Sequence, residues 1–213
     1  MSVMEYLKRD RIIVIVRGLA AEYMLPFAKA LFWGGIRMME VTFDQQRPDT
    51  WQDTAKAIRA VGDAYDGQMA VGAGTVLTKE QLEIARQAGA MYMVSPNVDM
   101  GVIAAAKAAG LCAFPGAMTP TEIVAAHQAG ADAVKLFPAG SLGPEYIKAV
   151  KAPLSHIPLI AVGGITEKNC GAFLAAGAVG IGVGGSLVNK AWIEAGEWDK
   201  ITSLAKEYLR AVR

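Results

Sequence analysis

Gln128–Gly140, with the sequence QAGADAVKLFPAG, contains the pattern that decides the fold. An amphipathic segment ends at Gly130, and the apolar run Ala133–Phe137 begins three residues later. Glycine is typical of the residue that ends a helix, and a short continuous apolar run is typical of a strand covered on both faces. The same junction recurs as QAGA, AAGL and AAGA after three other helix-like segments. The pattern therefore predicts the repeated helix-to-strand turns of a parallel sheet.

Outward from this stretch, short apolar runs alternate with amphipathic segments along the whole chain. Eight apolar runs predict strands: Ile12–Arg17, Met38–Phe43, Met69–Thr75, Met91–Ser95, Cys112–Pro115, Ala133–Phe137, Leu159–Val162 and Val179–Val183. The segments beside them predict helices: Val3–Lys8, Ala21–Trp33, Thr50–Val61, Lys79–Ala88, Met100–Ala109, Thr121–Ala129, Pro144–Lys151, Lys168–Ala176 and Trp198–Arg213. Regular β-then-α order of this kind implies right-handed crossovers and a parallel sheet.

Eight β-then-α units fit one architecture in a chain of this length. A (β/α)8 barrel commonly runs to roughly 200–250 residues as a single unit, and this chain has 213. An open, doubly wound sheet is the alternative. It is disfavoured because no Gly-x-Gly-x-x-Gly follows the first strand, which leads into Arg17, Gly18 and Leu19. We therefore expect a single α/β domain over residues 1–213, a (β/α)8 TIM barrel with a short N-terminal helix.

Composition and charge exclude several classes of protein. The chain has 21 Lys and Arg against 20 Asp and Glu, a near-neutral balance that argues against nucleic-acid binding. Hydrophobic residues make up 53% of it, which excludes intrinsic disorder. The uncharged stretch Ala172–Val188 contains five glycines and predicts two elements and a turn instead of a membrane span. We expect a cytoplasmic protein that binds neither nucleic acid nor membrane.

Cysteine and histidine are too few to predict a metal site. Cys112 and Cys170 lie in separate apolar or small-residue stretches, as expected for reduced thiols in a cytosolic protein. His127 and His156 lie far apart, with no Cys, His or carboxylate cluster around them. Because a zinc site built by a protein takes three or four such ligands, no metal is expected.

Three charged residues lie within or at the end of predicted apolar strands: Lys135 in AVKLFPAG, Glu40 in MMEVT and Arg17 at the end of IIVIVR. Side chains alternate along a strand, so Val134 and Leu136 can face the helices while Lys135 points into the barrel, and Glu40 turns inward likewise. Two inward charges of opposite sign predict a mutually stabilised site. A dry pocket lowers the pKa of a lysine, as a Schiff-base nucleophile requires. A buried ion pair without function, or strand-end charges in water, is the alternative.

Glycine-rich ends of the last two predicted strands indicate an anion site. AVGGIT contains Gly163 and Gly164, and GVGGS contains Gly185 and Ser186. Barrels often bind phosphate at this place, where glycine lets backbone N–H groups approach the anion. Close packing of a helix on a strand explains such glycines equally well. The VGAGTVLT turn after the third strand similarly offers Thr75 and nearby amides to a carboxylate.

Seven motifs occur in order along almost the whole chain: EVT, VGAGTV, SPN, PGAMTPTE, KLFPA, GPEYIKAV and VGGI. With them, the sequence resembles the class I aldolases that cleave 2-keto-3-deoxy-6-phosphogluconate (KDPG) or 4-hydroxy-2-oxoglutarate (KHG). KLFPA and GAGTV together are the specific part of the resemblance. It implies a homotrimeric barrel without metal or cofactor, which reversibly cleaves its substrate to pyruvate and an aldehyde such as glyceraldehyde 3-phosphate.

The resemblance also implies roles for individual residues. Lys135 takes the Schiff-base position and Glu40 the acid/base position, while Thr75 falls in the region that binds the substrate carboxylate. The remaining substrate-binding positions line the pocket or hold the distal phosphate: Pro96, Phe137, Gly163, Gly164, Gly185 and Ser186.

One departure from the family pattern concerns the substrate. Enzymes of the gluconate type often carry an arginine four residues after the catalytic glutamate, whereas this chain has Asp44 there and its nearest arginine is Arg47. Other members, including those that act on the galactonate epimer, have an arginine at the end of the first strand instead, and Arg17 lies at that place. We hypothesise that Arg17, assisted by Thr75, binds the carboxylate, and that Arg47 is a solvated loop residue. Gluconate, galactonate and hydroxyoxoglutarate substrates all stay open.

Two other functions fit the same fold. A phosphosugar isomerase or epimerase would use the same phosphate loops without needing a lysine that forms an iminium. A catalytically silent barrel that binds a phosphorylated ligand would need neither Lys135 nor Glu40. The fold alone does not separate these functions, because barrels host many chemistries.

Overall fold

The computed structural model describes all 213 residues, and its elements follow the alternation in the sequence. Nine strands form the sheet: β1 (Ile12–Val16), β2 (Met38–Thr42), β3 (Ala70–Gly74), β4 (Tyr92–Val94), β5 (Cys112–Phe114), β6 (Gly116–Ala117), β7 (Val134–Leu136), β8 (Leu159–Val162) and β9 (Gly180–Val183). The helices are α1 (Val3–Asp10), α2 (Ala21–Gly34), α3 (Trp51–Ala64), α4 (Lys79–Gln87), α5 (Met100–Ala108), α6 (Pro120–Gln128), α7 (Ala139–Leu142), α8 (Pro144–Lys151), α9 (Cys170–Ala175), α10 (Lys190–Glu194) and α11 (Trp198–Ala211). Each predicted apolar run contains a strand.

All strand pairs are parallel, and the strand order around the sheet follows the chain, with β1 beside both β2 and β9. β5 and β6 are two halves of one segment, separated by Pro115: β5 pairs with β4, and β6 pairs with β7. Proline has no amide hydrogen to donate, which interrupts the ladder, but its carbonyl oxygen accepts a bond of 2.9 Å from the Lys135 amide. The ring of strands thus returns on itself through residues 112–117. The predicted (β/α)8 barrel is confirmed, with its fifth strand split in two.

The interior of the barrel is a packed core, closed at the N-terminal end of the strands by α1. Twelve buried residues form this core, nearly all of them from the strands and from α1, which contributes Val3, Tyr6 and Leu7. Gly180 leaves the space that Leu7 fills, since a Cβ on Gly180 would lie 2.7 Å from Leu7 Cδ1. The helix is fixed at its start by a capping box between Ser2 and Glu5.

The layer between strands and helices is a second, larger core of 53 buried residues. The closing helix α11 packs on α2, where Gly34 allows the close approach: a Cβ there would collide with Ala205. The hydroxyl of Thr202 donates to the carbonyl of Ala30 across the same contact, at 3.0 Å. The last helix therefore ties back to the first βα unit of the chain. No helix in the structure is both long enough and apolar enough to span a membrane.

The structure differs from the sequence-based expectations in local details. α7 and α10 are absent from the prediction, because four and five residues are too few to show a helical period. The histidines lie far apart in the chain, but the fold brings His127 and His156 together, with ring centroids 5.4 Å apart. No group of three His, Cys, Asp or Glu side chains is arranged to hold a metal ion.

Candidate active site

Lys135 and Glu40 lie on opposite parts of the barrel wall, and both point into its interior. Lys135 is the central residue of β7, and its neighbours Val134 and Leu136 belong to the outer core. Glu40 is the central residue of β2. The two are 8% and 2% exposed, and they line the same internal cavity of about 10 Å³. A cavity of that size has room for roughly one water molecule.

The electrostatics of this pair follow from burial. Burial lowers the pKa of Lys135, opposed by the nearby Glu40 and reinforced by Arg17. Burial also raises the pKa of Glu40, opposed by the positive charges of Lys135 and Arg17. No direct ion pair joins the two side chains. Burial therefore shifts Lys135 towards its neutral amine and Glu40 towards its protonated form.

Gly74, in the GAGTV motif, provides the space that the Glu40 carboxylate occupies. A Cβ on Gly74 would lie 2.6 Å from Glu40 Oε1 and 2.8 Å from Thr42 Cγ2. β2 and β3 are direct neighbours, with Thr42 in register with Gly74. Position 74 of this motif is therefore a glycine because the carboxylate of Glu40, the acid/base candidate, packs where a side chain would begin.

Arg17 and Thr75 meet at the same end of the barrel. Arg17 follows β1 and Thr75 follows β3, and Arg17 Nη2 lies 3.4 Å from Thr75 Oγ1. Arg17 and Thr75, the two predicted ligands, are therefore close enough to contact a single substrate carboxylate. Arg47 lines the same cleft as Arg17, but its guanidinium forms an exposed ion pair of 2.8 Å with Asp49. At the position of the family's usual arginine, Asp44 accepts a hydrogen bond from the Gln46 amide within its own loop.

Phe137 and Pro96 border the site on the side of β4 to β8. The Phe137 ring is 40% exposed, and its centroid lies 5.2 Å from Lys135 Nζ. The same ring covers Gly163, where a Cβ would lie 3.1 Å from two ring carbons. Pro96 follows β4 and packs closely on Gly116, which is in register with Lys135. Both predicted pocket residues are thus neighbours of Lys135 or of its strand partner.

The glycine-rich ends of β8 and β9 form two turns with free backbone donors. Gly163 and Gly164 have φ values of 91° and 72°, a left-handed backbone that favours glycine. The amides of Gly164, Gly185 and Ser186 donate to no protein acceptor. Such free amides suit an anion. The Ser186 hydroxyl lies 2.7 Å from Tyr208 Oη of α11.

Two glutamines that the sequence motifs do not predict contact this site. Gln45 donates to the carbonyl of Thr75, and the buried Gln81 donates to Gln45. The capping box of Thr78 and Gln81 at the start of α4 is visible in the sequence as T-x-x-Q, and it could have drawn attention to Gln81. Nothing in the sequence pairs it with Gln45, which lies on another loop.

Comparison with known proteins gives matches along nearly the whole chain. The family model described as KDPG and KHG aldolase matches residues 3–204. The 2-dehydro-3-deoxy-6-phosphogalactonate aldolase of Escherichia coli (strain K12) is 34% identical, over 99% of this chain and 100% of its own length. The 2-dehydro-3-deoxy-phosphogluconate aldolase of Treponema pallidum (strain Nichols) is 36% identical, over 99% of this chain and 98% of its own.

A solved structure gives the same result for the fold. The crystal structure of KDPG aldolase from Legionella pneumophila matches with a TM-score of 0.84 and 27% identity, covering 94% of this chain and 95% of that one. In it, pyruvate was captured at low pH as a covalent carbinolamine intermediate. The family match, the two relatives and the shared barrel agree with the family that the motifs indicate. This chain belongs to the KDPG and KHG aldolase family, and it is an aldolase, a carbon–carbon lyase.

Proposed function

We propose that this aldolase is of class I: Lys135 forms a Schiff base with the substrate ketone, and Glu40 moves the protons. The observation that carries the proposal is that a desolvated lysine and a desolvated glutamate line one cavity inside the barrel. A lowered pKa increases the fraction of Lys135 that is the neutral, nucleophilic amine, and a raised pKa increases the fraction of Glu40 that has a proton to donate. The proposal uses no metal and no cofactor.

Covalent capture of the substrate comes first. The neutral amine of Lys135 attacks the C2 carbonyl carbon, and Glu40 passes a proton from the attacking nitrogen to the carbonyl oxygen to give a neutral carbinolamine. Glu40 then donates a proton to the departing hydroxyl, so that water leaves and an iminium forms. The positive iminium draws electrons from the neighbouring carbons, which prepares the next bond for cleavage.

Cleavage follows from the electron demand of the iminium. Glu40, directly or through a water molecule, removes the proton of the C4 hydroxyl. The C3–C4 bond electrons move onto the iminium, which becomes a neutral enamine, and the C4 fragment leaves as an aldehyde. Protonation of the enamine at C3 regenerates the iminium, and hydrolysis returns pyruvate and free Lys135. In reverse, the same steps join pyruvate to an aldehyde.

The surrounding residues supply substrate binding. Arg17 and the hydroxyl of Thr75 bind the carboxylate, since their side chains lie 3.4 Å apart at the open end of the barrel. Phe137 and Pro96 form the apolar wall beside the iminium. The distal phosphate binds the free amides of the two glycine-rich turns, which carry the residues Gly163, Gly164, Gly185 and Ser186.

The substrate is a 2-keto-3-deoxy sugar-acid phosphate, KDPG or its galactonate epimer, with hydroxyoxoglutarate as a further candidate. Arg17 at the end of β1 and Asp44 in place of the usual arginine favour the galactonate epimer, because the chain resembles the members that act on that epimer at these two positions. We further propose that residues 1–213 act as one catalytic domain, in a cytoplasmic homotrimer. With KDPG as its substrate, the enzyme serves the Entner–Doudoroff pathway.

Trapping with borohydride tests the proposal. The protein is incubated with pyruvate and sodium borohydride, and the reduced adduct is located by intact-protein and peptide mass spectrometry. We expect one pyruvate-derived adduct on the peptide that contains Lys135, and none on that of Lys148, an outer-helix lysine that serves as internal control. A folded protein without an adduct would overturn the class I mechanism. A successful trap is followed by assays of the two sugar-acid epimers side by side.

A further inference from the structure

Thr75 has a backbone conformation that a threonine adopts only under constraint. Its φ is 55°, in the left-handed region, and Arg11 is the only other residue besides glycines with a positive φ. A β-branched side chain is crowded by its own backbone in that region. Residues held this way persist when the surrounding structure fixes them, and they are found at binding sites more often than elsewhere.

The peptide that follows Thr75 is held at both of its polar atoms. The carbonyl oxygen of Thr75 accepts a hydrogen bond of 2.8 Å from Gln45 Nε2. The amide of Val76 donates to the carbonyl of Val94 at 3.1 Å. Rotation of this peptide would break both bonds. Gln45 therefore fixes one side of the conformation that places the Thr75 hydroxyl beside Arg17.

Gln45 is itself oriented by Gln81, which is fully buried. The Oε1 atom of Gln81 accepts from the amides of Leu77 and Thr78, at 2.7 and 3.3 Å. Because these N–H groups can only donate, the NH2 group of Gln81 faces the other way, and it donates to Gln45 Oε1 at 2.9 Å. The NH2 group of Gln45 is then turned to the Thr75 carbonyl. The two amides form a directional chain that joins the loop after β2 to the loop after β3.

We propose that Gln45 and Gln81 are positioning residues, which hold Thr75 in its left-handed conformation so that its hydroxyl and Arg17 together bind the carboxylate of the keto acid. The inference deepens the proposed function and rests on it. Neither glutamine touches the reacting atoms. Their loss is expected to weaken substrate binding while the chemistry at Lys135 continues.

The test compares Gln45→Met with Gln46→Met. Methionine matches glutamine in length and adds no charge, but it makes neither hydrogen bond. Gln45 is exposed, so the variant is expected to fold. Gln46 is the matched control, since its side chain makes no hydrogen bond. The readouts are KM and kcat for cleavage, and the pyruvate concentration that gives half-maximal borohydride labelling of Lys135.

For Gln45→Met we expect KM and the half-labelling concentration to rise about tenfold, roughly the factor for one lost hydrogen bond. We expect kcat to change less than threefold, and Gln46→Met to behave as the wild type. If the wild type is labelled, and Gln45→Met and Gln46→Met have the same KM, kcat and half-labelling concentration, this inference is overturned while the class I mechanism stands. A fall in kcat at unchanged KM would also overturn it. Absence of labelling in the wild type would instead overturn the proposed function.

Discussion

The carboxylate of Glu40 occupies the place where a side chain on Gly74 would begin: a Cβ there would lie 2.6 Å from Oε1. β3, the strand beside that of Glu40, therefore has a glycine at position 74 because the carboxylate occupies the volume that a side chain would take there. The free end of Glu40 is the part that can move, since its backbone is fixed in β2. A methyl group on Gly74 would therefore displace the carboxylate before it displaces the sheet.

The first prediction follows for Gly74→Ala. We expect kcat to fall by at least about tenfold, with a loss of roughly 1–3 kcal/mol in the free energy of unfolding from overpacking. Kinetics and denaturant unfolding measure the two effects. Gly62→Ala is the control, because nothing lies within 4 Å of its Cβ position in α3. This control variant should keep full activity, and its free energy of unfolding should rise by roughly 0.5–1 kcal/mol. Full activity in Gly74→Ala would show that the carboxylate tolerates displacement.

The second prediction concerns Lys135→Met and pH. The folded protein holds the pKa of Lys135 below its ordinary value of 10.5. Between the lowered pKa and 10.5 the unfolded chain binds more protons than the folded one, so the free energy of unfolding rises with pH in that window. Lys135→Met removes this rise as well as all turnover and borohydride labelling. Denaturant unfolding of both proteins from pH 7 to 10.5 measures it. Parallel pH curves would contradict the lowered pKa.

The third prediction is that Glu40→Gln keeps substrate binding but loses proton transfer. General acid–base catalysis contributes about 10²–10⁴-fold, and we expect kcat to fall within that range. Exchange of the pyruvate methyl protons with deuterated water, followed by NMR, should slow by a similar factor. The folded protein raises the pKa of Glu40 above its ordinary value of 4.5. Between 4.5 and the raised pKa the folded chain binds more protons than the unfolded one, so the free energy of unfolding falls as pH rises. Glu40→Gln removes this fall. Normal turnover in Glu40→Gln would refute its role.

The fourth prediction concerns the carboxylate. Arg17→Ala should raise KM for the keto acid by about 10–100-fold, as expected for a lost charged hydrogen bond of roughly 1.5–3 kcal/mol. Arg47→Ala should leave KM unchanged, because Arg47 pairs with Asp49 in an exposed loop. Steady-state kinetics with both sugar-acid epimers measures this. An unchanged KM in Arg17→Ala would exclude Arg17 as the ligand.

Much of the fold could be predicted because its signals are local. The apolar runs predicted the strands, and the alternation around Lys135 and Glu40 predicted that both side chains point inward. The split of the fifth strand at Pro115 could not be predicted, since it depends on which neighbour each half pairs with. The contact of His127 with His156 and the bond of Ser186 to Tyr208 also join distant segments, so no local pattern marks them.

The reactive residues of the substrate site could be predicted from the sequence, whereas the residues that position them could not. A lysine or glutamate inside an apolar strand is conspicuous in a sequence. Gln45 and Gln81 resemble any other surface glutamine until the two loops are brought together. A positive φ at Thr75 is likewise invisible, because threonine is a residue type that normally avoids it.

The helix α1 at the base of the barrel has a consequence for the order in which products leave. With Tyr6 and Leu7 filling the floor, a molecule bonded to Lys135 has one exit, at the rim. In the proposed mechanism, cleavage of the C3–C4 bond frees the aldehyde while pyruvate is still bonded to Lys135, so the aldehyde departs first by that exit. The water that then releases pyruvate enters by the same opening, since Tyr6 and Leu7 fill the base of the barrel. Under the proposed class I mechanism we therefore expect ordered release, and inhibition patterns with added pyruvate and aldehyde should show that the aldehyde leaves before pyruvate.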